Sequence, residues 1–100
     1  MGARHVIAVV EEHETDRGWR FGCDLAGCGY AWVRLDWSDY DHWCPGGDIS
    51  PSIVVERVLT LMSTEGLTIP SNFDIARIHR LLNNPEAVHQ AIRPTTNGPD

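Results

Sequence analysis

Residues 19–35, "WRFGCDLAGCGYAWVRL", alternate in polarity on both sides of a turn that contains two glycines. The apolar side chains that share one phase are Trp19, Phe21 and Cys23 before the turn, and Ala31, Val33 and Leu35 after it. Alternation with a period of two is typical of a half-buried strand. The segment therefore predicts an antiparallel hairpin, and the β-branched residues at about 5–11 predict one more strand before it.

After the strands, the apolar residues recur with the period of a helix. Ser50 suits an N-cap, Pro51 suits the first turn and Gly66 suits the end of this helix. Further helices are predicted over 72–84 and over 85–92. The side chains that we expect these helices to bury are Leu59, Leu61, Ile78 and Leu82. Strands followed by helices predict an α+β fold, in which a small antiparallel β-meander is covered on one face by two to three helices.

The length of 100 residues predicts a single domain, which we place at 1–93 with its helical part at 50–93. Residues 94–100, with two prolines and one glycine, predict a disordered tail. There is no run of apolar residues long enough for a membrane span, and the first residues do not match a signal peptide. These features predict a cytoplasmic protein.

All three cysteines of the chain fall within residues 23–44, together with one histidine. Glycines flank Cys28 at the hairpin turn, where a tight knuckle needs backbone freedom. In an extended chain two residues spaced by two face the same way, so the second pair could reach one ion. Structural zinc usually takes four Cys and His ligands from two short pairs. The predicted ligands of a structural zinc are Cys23, Cys28, His42 and Cys44, with His13 as a substitute for His42.

This arrangement resembles a zinc ribbon over residues 19–47, with a Cys-x4-Cys pair on the hairpin and a His-x-Cys pair after it. The resemblance implies that the hairpin is a zinc knuckle. Two other interpretations remain open: the cysteines are buried thiols of the core, or Cys23 and Cys28 form a disulfide. The odd number of cysteines and the absence of an export signal disfavour the disulfide.

Residues 36–43, "DWSDYDHW", combine acidic and aromatic side chains and are predicted to form a loop or a short return strand. The net charge of −6 equals that of segment 11–48, which holds nine acidic and three basic residues. Such a loop suits a partner protein with a basic surface, because aromatic residues are frequent at binding hot spots. The predicted partner-binding residues are Trp37, Asp39, Tyr40 and Asp41. The alternative is that one or two of these rings cover the core.

The sequence therefore predicts a small cytosolic, zinc-stabilised protein-interaction module. The alternative function is a DNA-binding transcriptional regulator that uses helix 72–84 as its recognition helix, where Arg77 and Arg80 would be exposed. The acidic composition disfavours general phosphate binding, which depends on basic residues. No grouping of serine, histidine and acid is typical of nucleophilic catalysis, so we do not expect an enzyme.

Overall fold

The computed structural model describes residues 7–27 and 29–93. The strands are β1 Ala8–Glu14, β2 Gly18–Asp24, β3 Tyr30–Asp36 and β4 Asn72–Asp74, and the helices are α1 Trp37–Trp43, α2 Pro51–Thr64, α3 Ile78–Leu82 and α4 Pro85–Ile92. A 3-10 turn, Ile75–Arg77, leads from β4 into α3. The predicted α+β class is confirmed.

Within the described residues, the strands form one sheet in the order β1-β2-β3-β4. The predicted antiparallel meander is confirmed for β1 to β3, since β1 pairs with β2 and β2 pairs with β3 in antiparallel register. The short strand β4 then joins the open edge of β3 in parallel, with Val33 opposite Phe73. The sheet is therefore mixed.

One face of the sheet carries the core, as the alternation predicts. The fully or nearly fully buried side chains of this face are Phe21, Cys23, Ala31, Val33, Leu35 and Phe73. Helix α2 covers them with five buried residues, which are Val54, Val55, Val58, Leu59 and Met62. Arg57 of α2 donates from Nη1 to the carbonyl oxygen of Ile92 at 2.6 Å, which ties the end of α4 to α2.

The outer edge of the sheet is strand β1, and it is irregular. A bulge between Val9 and Glu11 leaves Val10 without a Cα partner in β2. The backbone N–H of Val9 donates to a carboxylate oxygen of Glu56 in α2 at 2.9 Å. Bulges and side chains that occupy backbone groups interrupt the template that an edge strand offers to another strand. This part of β1 is therefore a poor site for adding a strand.

The prediction of a loop or a short return strand at 36–43 is wrong, because residues Trp37–Trp43 form helix α1. Aspartate, serine and aromatic residues are weak helix formers, which favoured a loop. The three aromatic residues nevertheless recur every three positions, which places them on neighbouring parts of a helical surface. Burial of Trp43, whose side chain is 2% exposed, stabilises the helix against the core.

The prediction of one helix at 72–84 is also wrong. Its first residues form β4, and the backbone N–H of Trp32 donates to the carbonyl of Ser71 at 2.7 Å beside that strand. The Asp74 carboxylate then accepts from the N–H of Ala76 at 3.1 Å and caps the 3-10 turn. Pairing with β3 and burial of Phe73 determine the structure of residues 72–74. A strand of three residues is too short to show a period of two in the sequence.

The core predictions from the helices are confirmed in part. Leu59 and Ile78 are fully buried, whereas Leu61 and Leu82 are only half-buried. Pro51 begins α2 as predicted, and Gly66 follows its end with a positive φ of 76°. The first part of the predicted strand 5–11 and the predicted tail 94–100 lie outside the described residues.

Candidate recognition surface

The predicted zinc ligands that the structure describes, Cys23, His42 and Cys44, do not come together. Cys23 is buried within β2, where its Sγ lies 3.8 Å from the carbonyl oxygen of Phe21. Cys44 is buried just after α1, and the two cysteines are not near each other. Because 37–43 is a helix rather than an extended chain, the condition that would aim His42 and Cys44 the same way does not hold.

Across residues 7–27 and 29–93, no group of three or more His, Cys, Asp or Glu side chains could hold a metal ion. The prediction of a zinc-binding, zinc-ribbon-like protein is therefore wrong for this part of the chain. Cys28 lies outside the described residues. His13, the substitute ligand, is exposed on β1 and lies with its ring 5.9 Å from that of Trp32.

Helix α1 separates the aromatic residues that the sequence grouped together. Trp43 at its end is buried, whereas Trp37 at its start is 46% exposed. The Trp37 ring meets Trp19 edge to face at 6.4 Å between ring centroids, and Trp19 meets Tyr40 in the same way at 5.3 Å. We call Trp19, Trp37 and Tyr40 the aromatic patch.

Tyr40 fixes this patch to the rest of the fold. Its hydroxyl donates to the carbonyl oxygen of Ile49 at 2.6 Å, which joins α1 to the segment before α2. Tyr40 is half-buried and packs edge to face against Trp19, so its ring is less available to a partner than that of Trp37. Of the predicted contact residues, Trp37 is thus the exposed ring and Tyr40 is its support.

The carboxylates around α1 differ in how freely they could meet a partner. Asp36 accepts from Nε of Arg34 at 2.9 Å. Asp39 is half-buried, and burial together with the carboxylates of Asp36 and Asp74 raises its pKa. Asp41 is exposed and lies four positions after Trp37, on the same side of the helix. Asp41 is therefore the predicted acidic residue best placed beside the exposed ring.

A second feature, absent from the sequence predictions, lies on the face of the sheet opposite the core. A groove of about 540 Å³ there is lined by Thr15, Asp16, Arg17, Arg20, Trp32, Arg34, Asn72, Phe73 and Asp74. We call it the Arg20 groove. The available signal was that the solvent-side phase of β3 holds aromatic rings, Tyr30 and Trp32, rather than only polar residues.

Comparison of the chain with protein-family models, with curated proteins and with solved structures finds no match. The resemblance to a zinc ribbon consequently has no support from related proteins. None of the helices in the described part of the chain is long and apolar enough to cross a membrane.

Proposed function

We propose that this protein binds a partner protein through the aromatic patch and the adjacent Asp41. The observation that carries the proposal is the half-exposed ring of Trp37, 46% accessible to solvent and packed edge to face against Trp19. Tryptophan is enriched among the residues that dominate binding energy at protein interfaces. Hydration of the apolar surface of an exposed indole is unfavourable. A partner that covers the ring would remove this cost.

The contacts beneath Trp37 support this proposal because they reduce the entropy lost on binding. The ring meets Trp19 at an interplanar angle of 87°, and Trp19 meets Tyr40 at an angle of 74°. Immobilising a free side chain at an interface costs roughly 0.5–1.5 kcal/mol. A ring that its neighbours already orient avoids part of that cost.

Charge favours a partner with a basic surface. The chain has a net charge of −6, and Asp41 adds an exposed carboxylate one helical turn from Trp37. Complementary charge mainly increases the rate of association, whereas buried contacts mainly slow dissociation. The half-buried Asp39, whose pKa is raised, should contribute less to this attraction than Asp41.

Neither Cys23 nor Cys44 has the environment of a cysteine nucleophile. Burial raises the pKa of Cys23 to about 12 and also raises the pKa of Cys44, with Arg93 acting in the opposite direction on Cys44. A cysteine nucleophile must be a thiolate at working pH. Both thiols therefore stay protonated near neutral pH, and we propose no enzymatic activity at either of them.

The alternative of a DNA-binding regulator loses its proposed recognition element. The described helix in that region is only Ile78–Leu82, since 72–74 is a strand and 75–77 a 3-10 turn. Proteins that bind DNA by phosphate contacts lose affinity steeply as salt increases. Passage through a heparin column at low salt without retention is the expected result.

Affinity capture from the native host tests the proposal, with Trp37→Ala as the test variant. The matched control is Tyr30→Ala, because Tyr30 is a similarly exposed ring, 41% accessible, on the opposite face of the sheet. We expect proteins that wild type and Tyr30→Ala both retain, that excess untagged wild type displaces, and that Trp37→Ala loses. Equal recovery by all three proteins would contradict the proposal.

Binding kinetics with the purified partner separate the contribution of the Trp37 ring from that of the Asp41 charge. Asp41→Asn should slow association and weaken its dependence on salt, whereas Asp39→Asn should change association less. Trp37→Ala should mainly speed dissociation. A partner whose association is unaffected by Asp41→Asn and by salt would contradict the assignment of a basic surface.

A further inference from the structure

The Arg20 groove contains a guanidinium group that is stacked but not otherwise bound. The Arg20 Cζ lies 4.2 Å from the ring centroid of Trp32, a distance typical of a cation–π contact. Trp32 also meets Tyr30 edge to face at 5.8 Å, so the indole is held on two sides. The stack places the Arg20 guanidinium against the Trp32 ring, and both residues line the groove.

Stacking of this kind leaves the hydrogen-bond donors of an arginine available. The N–H groups of a guanidinium lie in its plane and point away from a ring that it covers. Among the described residues, neither Arg20 nor Arg17, which lines the same groove, donates a side-chain hydrogen bond or forms an ion pair. Neither guanidinium group therefore has a hydrogen-bond acceptor among the described residues, and both line the groove.

The pKa of Glu11 in β1 is lowered mainly by the hydrogen bond from Tyr30, and Arg20 helps to lower it without a hydrogen bond of its own. The Glu11 carboxylate accepts from the Tyr30 hydroxyl at 2.9 Å and lies 3.2 Å from Nε2 of His13. Gly22 makes this possible, because a Cβ there would come within 2.3 Å of the Tyr30 hydroxyl. Tyr30 can therefore lie across β2 and hold Glu11 beside the stack.

The other charges that line the groove are mostly engaged as well. Arg34 donates to Asp36 at 2.9 Å, and Asp74 accepts the backbone N–H that caps the 3-10 turn. Asp16 makes no hydrogen bond or ion pair with a described residue. The lining groups without an ion-pair partner are therefore the guanidinium groups of Arg17 and Arg20 and the carboxylates of Asp16 and Asp74, so the groove selects an anion by hydrogen-bond geometry rather than by excess charge.

We propose that the Arg20 groove binds a small ligand that carries one carboxylate or phosphate group on an apolar, planar body. The oxyanion accepts hydrogen bonds from Arg20 and Arg17, since a guanidinium matches both groups in a two-pronged geometry. Trp32 supplies the apolar wall for the body of the ligand. The volume of about 540 Å³ lies within the range of small-molecule sites in proteins.

Three compounds with the same ring test this site and distinguish its anion: phenyl phosphate, phenylacetate and neutral phenylacetamide. Titrations of the full chain would follow the indole N–H signals by NMR, with the Trp32 signal assigned from Trp32→Phe. For ligands of about this size we expect millimolar dissociation constants. One or both anions should shift the Trp32 signal in a saturable way, and phenylacetamide should not. The tighter of the two anions identifies the preferred group.

Substitutions at Arg20 establish which residue holds the anion. Arg20→Met keeps an apolar stem over Trp32 and should weaken binding about tenfold or more, because a charged hydrogen bond is lost. Arg20→Lys keeps the charge but not the two-pronged geometry and should give an intermediate loss. The matched control is Arg80→Met, an exposed arginine of α3 outside the groove, which should bind like wild type.

Removing the free carboxylate gives the opposite effect. Asp16→Asn should tighten binding of the anions by roughly twofold to threefold, because it removes an exposed like charge. Trp37→Ala should leave binding unchanged, since this site is independent of the aromatic patch. Saturation by neither anion up to 10 mM, or equal binding of phenylacetamide, would overturn the proposal. Unchanged binding by Arg20→Met with a wild-type melting curve would also overturn it.

Discussion

Helix α1 begins and ends with a tryptophan, and the two rings have opposite environments. Trp43 is 2% exposed and lies with its ring 5.6 Å from that of His79, whereas Trp37 is 46% exposed on the aromatic patch. Their sequence neighbourhoods are alike, since each has an aspartate within two positions and an aromatic residue three positions away. Composition alone cannot assign one ring to the core and the other to the surface.

The difference shows how a short helix can present a surface ring. Isolated helices of this length are unstable in water, so α1 depends on its tertiary contacts. Trp43 and Tyr40 provide those contacts, the first by burial and the second by its hydrogen bond to Ile49. Trp37 is thereby held in place by neighbours that a partner would not need to touch.

Removing the buried ring should have the largest effect on stability. Trp43→Ala should lower the free energy of unfolding by about 3–5 kcal/mol, the usual cost of truncating a large buried aromatic residue. Trp43→Phe should cost less, since it keeps a ring and removes an indole N–H that is buried without a partner among the described residues. Denaturant titration measures both, and a loss below about 1 kcal/mol for Trp43→Ala would place Trp43 outside the core.

Truncation of a buried residue in α3, whose His79 lies beside Trp43, should have the next largest effect on stability. Ile78 is fully buried in α3, next to His79, so Ile78→Ala should cost about 2–5 kcal/mol. Leu81→Ala is the matched control, because Leu81 is 40% exposed on the same helix. Urea denaturation should show a much larger shift of the midpoint for Ile78→Ala than for Leu81→Ala. Equal shifts would contradict the assignment of Ile78 to the buried face of α3.

The support of the aromatic patch should show a smaller effect. Tyr40→Phe removes the hydrogen bond to the half-buried Ile49 carbonyl and should cost about 0.5–1.5 kcal/mol. Tyr30→Phe removes an exposed hydrogen bond to Glu11 and should stay within about 0.5 kcal/mol of wild type. Thermal unfolding of the two variants at one pH compares them, and a greater loss for Tyr30→Phe would contradict the role given to Tyr40.

Loss of the exposed ion pair between Asp48 and Arg93 should have the smallest effect on stability. Both Nη atoms of Arg93 donate to Asp48, at 2.7 and 2.8 Å, and these bonds lower the pKa of Asp48 from 3.8 to about 2. Because the pKa of Asp48 is lower in the folded state than in the unfolded state, its ionisation stabilises the fold at pH values above the unfolded-state pKa. That stabilisation is lost as the pH falls through the folded-state pKa.

The difference in melting temperature between wild type and Asp48→Asn should therefore shrink as the pH falls from about 4 to about 2. It should also decrease with added salt, since both side chains are exposed. A difference that is constant across this range of pH would show that the ion pair does not contribute to stability.

Sequence reasoning succeeded where local period and burial agree. The alternation around Phe21 and Val33 predicted the strands and the core side of the sheet, and Pro51 marked the start of α2. It failed for residues 72–74, because a three-residue strand depends on a partner, β3, that is distant in sequence. It also failed for α1, since burial of Trp43 outweighs the weak helix propensity of its neighbours.

The candidate site was predicted only in part for the same reason. Residues 36–43 were chosen for their aromatic and acidic composition, but their helical geometry decides that Trp37 is exposed and that Tyr40 supports it. The Arg20 groove combines β2, β3 and β4, and its last strand was predicted as a helix. The zinc prediction required residues 42 and 44 to be extended, and that condition depends on the same misassigned segment.

Trp37→Ala, measured in the same preparation for stability and for partner binding, tests the central claim most directly. We predict that the free energy of unfolding falls by clearly less than the loss of about 3–5 kcal/mol expected for Trp43→Ala, because Trp37 is 46% exposed whereas Trp43 is buried. We also predict that the captured partner binds at least about 30-fold more weakly, as expected for a hot-spot residue. A stability loss as large as that of Trp43→Ala, or unchanged partner affinity in a fully folded variant, would contradict the account.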